Sequence, residues 1–188
     1  SNDGSIRFAD NKDGEIVEAE KVPSFQGKAK PVHCDVVPTA ANNVEIREHE
    51  RFKPTVIKTP SGKTVLDFSQ NIAGYVEFTV EAEKGQRIFL RFGEMFDEQG
   101  EFTQKNIQVS NKKKTSPLQQ VEYICKDGVN HYKTTFAIFG FQYVFVESDV
   151  AIKPENFTAI AVYSDMKQTT QFESSNPLLD QFVKNTLW

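Results

Sequence analysis

The stretch DFSQNIAGYVEFTVEA, residues 67–82, contains the two patterns that decide the fold. From Val76 onward, apolar residues alternate with polar ones, and this period of two is typical of a β-strand with one buried face. Before it, the polar triplet at 69–71 and the small pair Ala73-Gly74 interrupt the apolar residues. Asn close to Gly is ordinary turn and bulge chemistry, so the stretch predicts two strands joined by a bend.

Further strand patterns follow on both sides of this stretch. The same alternation occurs in QVEYICK (120–126), whereas RIFLRF (87–92) and FQYVFVE (141–147) are apolar almost throughout, as expected for strands covered on both faces. About eight or nine such segments are bounded by Gly, Pro, Asn or Asp. Phe occurs 16 times and Leu six times, and aromatic residues favour pleated surfaces. We therefore predict an all-β fold, an antiparallel β-sandwich of the jelly-roll type, with a short C-terminal helix.

The C-terminal residues SSNPLLDQFVKNTLW predict that helix. Asn176 is a suitable N-cap, Pro177 fits the first helical position, and apolar residues recur at helical spacing. Leu179, Phe182 and Trp188 lie on the resulting apolar face. Because nothing else in the chain looks helical, we expect this face to be an exposed interface whose partners belong to a following part of a longer protein.

Three polar residues are candidates for a substrate-binding surface or a domain interface. Gln70 and Asn71 carry amides, which donate and accept hydrogen bonds at once and therefore suit sugar hydroxyls, or backbone groups where a strand bends. Glu94 opens a polar segment that reaches Gln120 and is too long for a hairpin loop unless it has a function or is mobile. With the acidic residues that follow it, Glu94 could form the carboxylate pair of a glycosidase, or simply a solvated turn.

The composition argues against several classes of function. The net charge of −4 and the pI near 5.5 lack the basic excess that a nucleic-acid partner requires. No apolar run approaches the roughly 18 residues of a membrane helix, so no membrane partner is expected. His33, His49 and His131 are scattered, which predicts no metal site, and no cofactor motif is present. Cys34 and Cys125 form no disulfide framework, which slightly favours a reducing, cytoplasmic compartment.

Five segments resemble, in order, the region that precedes the catalytic domain of bacterial α-L-rhamnosidases. They are VLDFSQNIAGYVEFTV, RIFLRFGEMFDEQGEFTQKNIQ, VEYICK, HYKTTFAIFGFQYVFVE and AVYSDMKQTTQFESSNPLLDQFVKNTLW. The resemblance implies a concanavalin-like β-sandwich at 44–165. It also implies that 1–43 are the tail of a preceding N-terminal domain with a linker, and that 166–188 are a connection and the first helix of a catalytic (α/α)6 barrel.

The resemblance also implies a function. The parent enzyme would hydrolyse terminal α-L-rhamnosyl residues of rhamnosides with one carboxylic acid and one carboxylate-activated water, and the sandwich would brace its own catalytic domain. The family's catalytic residues belong to the barrel, so none can be placed on this chain. Gln70 and Asn71 would lie near the barrel. One departure is Ser69, which stands where the family motif Asp-Phe-Gly-Gln-Asn-x-Ala-Gly has glycine and would be strained at a positive φ.

Two other functions stay open on the sequence. The chain could be a carbohydrate-binding module, in which exposed aromatic residues such as Tyr132 or Phe102 stack on sugar faces. It could also be a purely structural interaction domain.

Overall fold

The computed structural model describes residues 4–24, 27–41 and 44–188. A 3-10 helix at Pro154–Asn156 and an α-helix, α1 (Pro177–Thr186), accompany the strands. No helix in the described ranges has the length and apolarity needed to cross a membrane. The strands are β1 (Ile6–Asp10), β2 (Gly14–Glu18), β3 (Ile46–Phe52), β4 (Thr55–Lys58), β5 (Thr64–Ala82), β6 (Arg87–Gly93), β7 (Met95–Phe96), β8 (Phe102–Thr103), β9 (Gln120–Ile124), β10 (Gly128–Lys133), β11 (Phe139–Ser148) and β12 (Phe157–Ser164).

Strand β5 organises the sheet, because its 19 residues pair with four other strands, all antiparallel. β10 and β11 pair along one of its edges, and β12 and β4 along the other. The main path of the sheet runs β1-β2-β9-β6-β11-β5-β12-β3. β7 and β8 form a separate hairpin.

The sheet curls so that strands that are not neighbours share one core. The rings of Phe78 in β5 and Tyr123 in β9 lie 5.3 Å apart, although β6 and β11 separate these strands in the sheet. The alternation predicted from Val76 onward is confirmed, since residues 76, 78 and 80 are all buried. Six phenylalanines are among the largest fully buried side chains: Phe68, Phe78, Phe92, Phe139, Phe141 and Phe157.

The strands that are apolar throughout are covered on their outer face as well, as the sequence predicts. Phe145 of β11 stacks on Phe102 of the β7–β8 hairpin, with ring centroids 5.8 Å apart. Phe89 of β6 lies under the guanidinium groups of Arg87 and Arg91, at 4.5 and 5.2 Å. The β7–β8 hairpin therefore covers the outer face of β11, and two arginine side chains cover that of β6.

The N-terminal residues belong to this sheet, and they make it mixed rather than purely antiparallel. β1 and β2 form an antiparallel hairpin, and β2 then runs parallel to β9. A parallel neighbour is possible here because the connection between β2 and β9 is long. Residues 6–18, which the resemblance assigns to the tail of a preceding domain, thus contribute two strands.

A buried carboxylate fixes this N-terminal hairpin to the rest of the sandwich. Glu15 is 1% exposed, and its Oε2 accepts a hydrogen bond from the Tyr132 hydroxyl at 2.7 Å. Its Oε1 accepts from the backbone N–H groups of Thr135, Phe136 and Ala137 at 2.9, 2.6 and 3.1 Å. Burial, and then the Glu15 carboxylate, raise the pKa of Tyr132 above its usual value. Four donors compensate the desolvation of Glu15 and hold β2 against the loop between β10 and β11.

We expect Glu15→Gln to lower the free energy of unfolding by about 2–4 kcal/mol, because the amide turns a donor group toward backbone N–H donors. Urea denaturation of both proteins measures the difference. Glu18→Gln in the same strand is the matched control: Glu18 is half-exposed and pairs with Arg7 at 3.4 Å, so a loss of only ~0–1 kcal/mol is expected. Equal losses in the two variants would contradict a special role for Glu15.

Candidate functional site

The interruption in β5 is a large bulge against β11. Phe141 pairs with Ile72 and Tyr143 pairs with Asp67, so the four residues 68–71 lie opposite Gln142 alone. Phe68 points into the core and is 1% exposed, whereas Ser69 and Asn71 are exposed. The bulge therefore turns a polar group outward while the apolar side chain beside it stays buried.

Ser69 adopts a left-handed backbone conformation, with φ of +64°. Its N–H donates to Asp67 Oδ1 at 2.7 Å, which stabilises the turn. The sequence predicts strain if Ser69 stands at a positive φ, and the backbone has that conformation. An L-residue in this region costs roughly 1 kcal/mol compared with glycine.

Gly74 is needed for the packing of β12 against β5, whereas the polar triplet at 69–71 forms the bulge. A Cβ on Gly74 would lie 1.9 Å from the carbonyl oxygen of Ile160 in β12. Glycine is therefore needed where β12 approaches β5 closely.

The three predicted polar residues lie together at the bulge. Asn71 Nδ2 donates to Glu94 Oε1 at 3.3 Å, and Gln70 Nε2 donates to the carbonyl oxygen of Asn71 at 3.1 Å. Asn106, from the long polar segment, donates to Glu94 Oε2 at 2.7 Å. The segment after Glu94 thus returns to the bulge and engages the second oxygen of the same carboxylate.

Asp67, Gln142 and Tyr143 extend this group on its other side. Gln142 Nε2 donates to Asp67 Oδ1 at 3.1 Å and to the Tyr143 hydroxyl at 3.0 Å. Burial, and then the Asp67 carboxylate, raise the pKa of Tyr143 above its usual value. We refer to Asp67, Gln70, Asn71, Glu94, Asn106, Gln142 and Tyr143 as the bulge cluster.

The sequence analysis did not predict four members of the bulge cluster. One of them could have been found from its place in a sequence motif, and the other three could not. Asp67 begins the quoted motif, so its place in a motif could have suggested it. Asn106, Gln142 and Tyr143 are distant in sequence, and only the pairing of β5 with β11 and the return of the polar segment bring them close.

Two of the acidic residues after Glu94, Asp97 and Glu101, have structural roles in the folded chain. Asp97 Oδ1 accepts from the N–H groups of Gln99 and Glu101 within one turn. Glu101 accepts from the Ser61 hydroxyl at 2.8 Å, and this hydrogen bond holds the pKa of Glu101 below its usual value. Glu94 accepts hydrogen bonds from the amides of Asn71 and Asn106, and the contacts of all three carboxylates are of the kind found in solvated turns.

The bulge cluster therefore has the chemistry of a hydrogen-bonding surface. Its amides, carboxylates and phenol can donate to and accept from hydroxyls or backbone groups. In the described ranges, no group of three His, Cys, Asp or Glu side chains is placed to hold a metal ion. Cys34 is exposed and Cys125 is buried, and both are free thiols.

The aromatic residues suggested for sugar stacking are not exposed platforms. Tyr132 is 6% exposed, its ring contacts Phe78, and its hydroxyl is bound to Glu15. Phe102 is half-buried on Phe145. The expectation of exposed aromatic rings at these two positions is therefore wrong, because His131 and Lys133 take the outward positions beside Tyr132 and the hairpin folds Phe102 onto the sheet.

The C-terminal helix exposes its apolar residues. Asn176 caps it as predicted, since its Oδ1 accepts from the N–H of Leu178 at 3.0 Å. Leu179, Phe182 and Trp188 are 49%, 67% and 49% exposed, and no residue of α1 is buried. Trp188 contacts Phe52 of β3, with ring centroids 6.0 Å apart.

Known proteins show similarity over nearly the whole chain. Residues 57–163 match the bacterial alpha-L-rhamnosidase concanavalin-like domain. An alpha-L-rhamnosidase of Alteromonas sp. (strain LOR) is 28% identical, over 98% of this chain and 21% of that protein. The native alpha-L-rhamnosidase structure from Aspergillus terreus is 27% identical with a TM-score of 0.81, over 98% of this chain and 22% of that one. The alpha-L-rhamnosidase structure from Streptomyces avermitilis, complexed with L-rhamnose, is 26% identical with a TM-score of 0.80. This match covers 98% of this chain and 19% of that one.

The lengths of these relatives differ greatly from that of the chain. The chain spans about a fifth of the length of each of them.

Because Ser69 lies at a positive φ, we expect Ser69→Gly to raise the free energy of unfolding by ~0.5–1 kcal/mol, measured by urea denaturation. Ser110→Gly is the matched control, at an exposed serine without a positive φ. The control is expected to lose a few tenths of a kcal/mol, roughly, because glycine adds entropy to the unfolded chain. A loss of stability in Ser69→Gly would show that the serine side chain itself stabilises the bulge.

Proposed function

The chain belongs to the family of bacterial alpha-L-rhamnosidase concanavalin-like domains, and from this membership we propose that it is the β-sandwich of an enzyme that hydrolyses terminal α-L-rhamnosyl residues of rhamnosides. In this proposal the sandwich is non-catalytic and braces a catalytic domain that lies outside the 188 residues. The observation that carries the proposal is the extent of the match, which covers 98% of this chain but only 21% of the rhamnosidase from Alteromonas.

Rhamnose is the sugar that the relatives suggest. The Streptomyces avermitilis enzyme was solved as a complex with L-rhamnose, and it shares the fold of this chain with a TM-score of 0.80. Glycoside hydrolysis needs two carboxyl groups across the scissile bond. We assign that pair to the remainder of the enzyme, because the carboxylate of Glu94 is held by Asn71 and Asn106.

We assign two surfaces of the sandwich to contact with the catalytic domain. The first is the bulge cluster with Gln70, Asn71 and Glu94, whose amides and carboxylate suit a polar, hydrated interface. The second is the apolar face of α1 with Leu179, Phe182 and Trp188, which would be buried by packing against further helices. The two surfaces together would hold the catalytic domain through one polar and one apolar contact.

An activity comparison tests the enzymatic part of the proposal. We expect the longer protein that contains this chain to release nitrophenol from nitrophenyl α-L-rhamnoside, and the 188-residue chain alone to release none above the uncatalysed rate. Nitrophenyl β-D-glucoside controls for the identity of the sugar. Comparable turnover by the 188-residue chain would place catalytic groups on the sandwich and contradict its role as a brace.

A second test concerns the helix. In the longer protein, Phe182→Ser is expected to lower the free energy of unfolding by about 2–4 kcal/mol, because it would remove a buried aromatic side chain. In the 188-residue chain, where Phe182 is 67% exposed, the same change should stay within about 0.5 kcal/mol.

Val129→Ser is the matched control for the helix test, since Val129 is 64% exposed and lies on β10 rather than on the helix. It should have a small effect in both proteins. A small effect of Phe182→Ser in the longer protein would remove α1 from the interface while leaving the activity comparison untouched.

A further inference from the structure

One segment of the chain has a charge opposite to the whole. Residues 102–121 contain four lysines and no Asp or Glu, in a chain of net charge −4. We call this segment the basic arm. Its lysines are Lys105, Lys112, Lys113 and Lys114, and none of them forms an ion pair with any residue that the structure describes.

A buried glutamine fixes the arm on the sheet. Gln104 is 8% exposed, and its Nε2 donates to the carbonyl oxygens of Phe92 and Leu118, both at 2.8 Å. Gln104 therefore ties the two ends of the arm to each other and to β6, and an open cleft lies between the arm and the sheet. Its volume is about 320 Å³, within the range of small-ligand sites.

Two cationic side chains line this cleft. Arg91 of β6 and Lys105 of the arm both border it, and neither has an acidic partner in the described ranges. Arg87, on the same strand and stacked on the same Phe89 ring, is paired with Glu122 at 2.6 Å. The charge of Arg87 is thus neutralised within the protein, whereas that of Arg91 is available to an anion.

The remaining lining groups suit a sugar rather than an extended polymer backbone. Gln120 supplies an amide, and Gln108 supplies a second one that also donates to Gln104 Oε1 at 3.4 Å. Thr103 and Thr115 supply hydroxyls, and the one aromatic ring in the lining, Phe102, is half-buried on Phe145. Amides and hydroxyls hydrogen-bond to sugar hydroxyls. A single-stranded nucleic acid would instead require a series of stacking rings along a groove, and this cleft has one.

We propose that this cleft binds one anionic sugar unit of a saccharide, with Arg91 and Lys105 contacting its carboxylate or sulfate group and Gln108 and Gln120 contacting its hydroxyls. The three lysines at 112–114, which precede the lining residue Thr115 in the sequence, would add long-range attraction for the anion. This inference does not depend on rhamnosidase activity, because it concerns binding by the 188-residue chain itself.

Calorimetric titration of the 188-residue chain tests the proposal with three probes: tetragalacturonate for the carboxylate, a carrageenan tetrasaccharide for the sulfate ester, and maltotetraose as the neutral sugar. We expect saturable binding of at least one anionic probe and none of maltotetraose. Affinity should fall several-fold between about 50 and about 500 mM sodium chloride, because the contacts are partly exposed. Binding of tetragalacturonate would identify the charged group of the ligand as a carboxylate, and binding of the carrageenan tetrasaccharide would identify it as a sulfate ester.

Variants locate the binding in the cleft. The double variant R91Q/K105Q is expected to weaken binding by about tenfold or more. The matched control K28Q/K30Q removes the same number of charges from the exposed segment before β3 and should stay within about twofold. Should R91Q/K105Q lose its folded structure, Lys105→Gln alone, at an exposed position, is expected to weaken binding about threefold with an unchanged melting temperature.

Several results would overturn the proposal. They are no binding of either anionic probe, equal binding of maltotetraose, equal losses in R91Q/K105Q and K28Q/K30Q, or tighter binding of a single-stranded oligonucleotide of the same charge.

Discussion

A single long strand, β5, pairs with four other strands, and the rest of the structure depends on the bend that this pairing requires. At about 3.3 Å per residue, the 19 residues of β5 would extend roughly 60 Å if straight, whereas a domain of this length has a radius of gyration of roughly 16 Å. A compact sphere with that radius of gyration is only about 40 Å across, so a straight β5 would project beyond it. The bulge, in which the four residues 68–71 lie opposite the single residue Gln142, adds three residues to β5 and bends it. The missing side chain at Gly74 lets β12 lie against β5 after the bend.

The same constraint produces the polar surface. A bulge leaves backbone groups without ladder partners, and these groups need polar side chains nearby. Asp67 and Gln70 satisfy the backbone of the bulge, while Asn71 points outward to Glu94. The residues that complete the bend therefore also form the outward-facing cluster.

The sequence predicts what depends on local periodicity, and it fails where distant segments meet. The alternation in β5 and the cap of α1 are local patterns, and both are found in the structure. Glu15 looks like a surface residue in a charged segment, yet it is buried because its backbone donors lie 120 or more residues away in the chain. The contact of Asn106 with Glu94 likewise arises from the return of a long segment to the bulge, which no periodicity signals.

Packing on the sandwich does not account for the stability of the C-terminal helix α1. Isolated helices shorter than about 12–15 residues are marginal in water, and α1 has 10 residues. Its N-cap contributes only ~1 kcal/mol, and no side chain of the helix is buried on the sheet. Most helical stability in proteins comes from packing of an apolar face, so the face with Leu179 and Phe182 needs a partner larger than the contact of Trp188 with Phe52. In the proposed enzyme, a catalytic domain packed on that face would supply this stabilisation, and the helix would connect it to the sandwich.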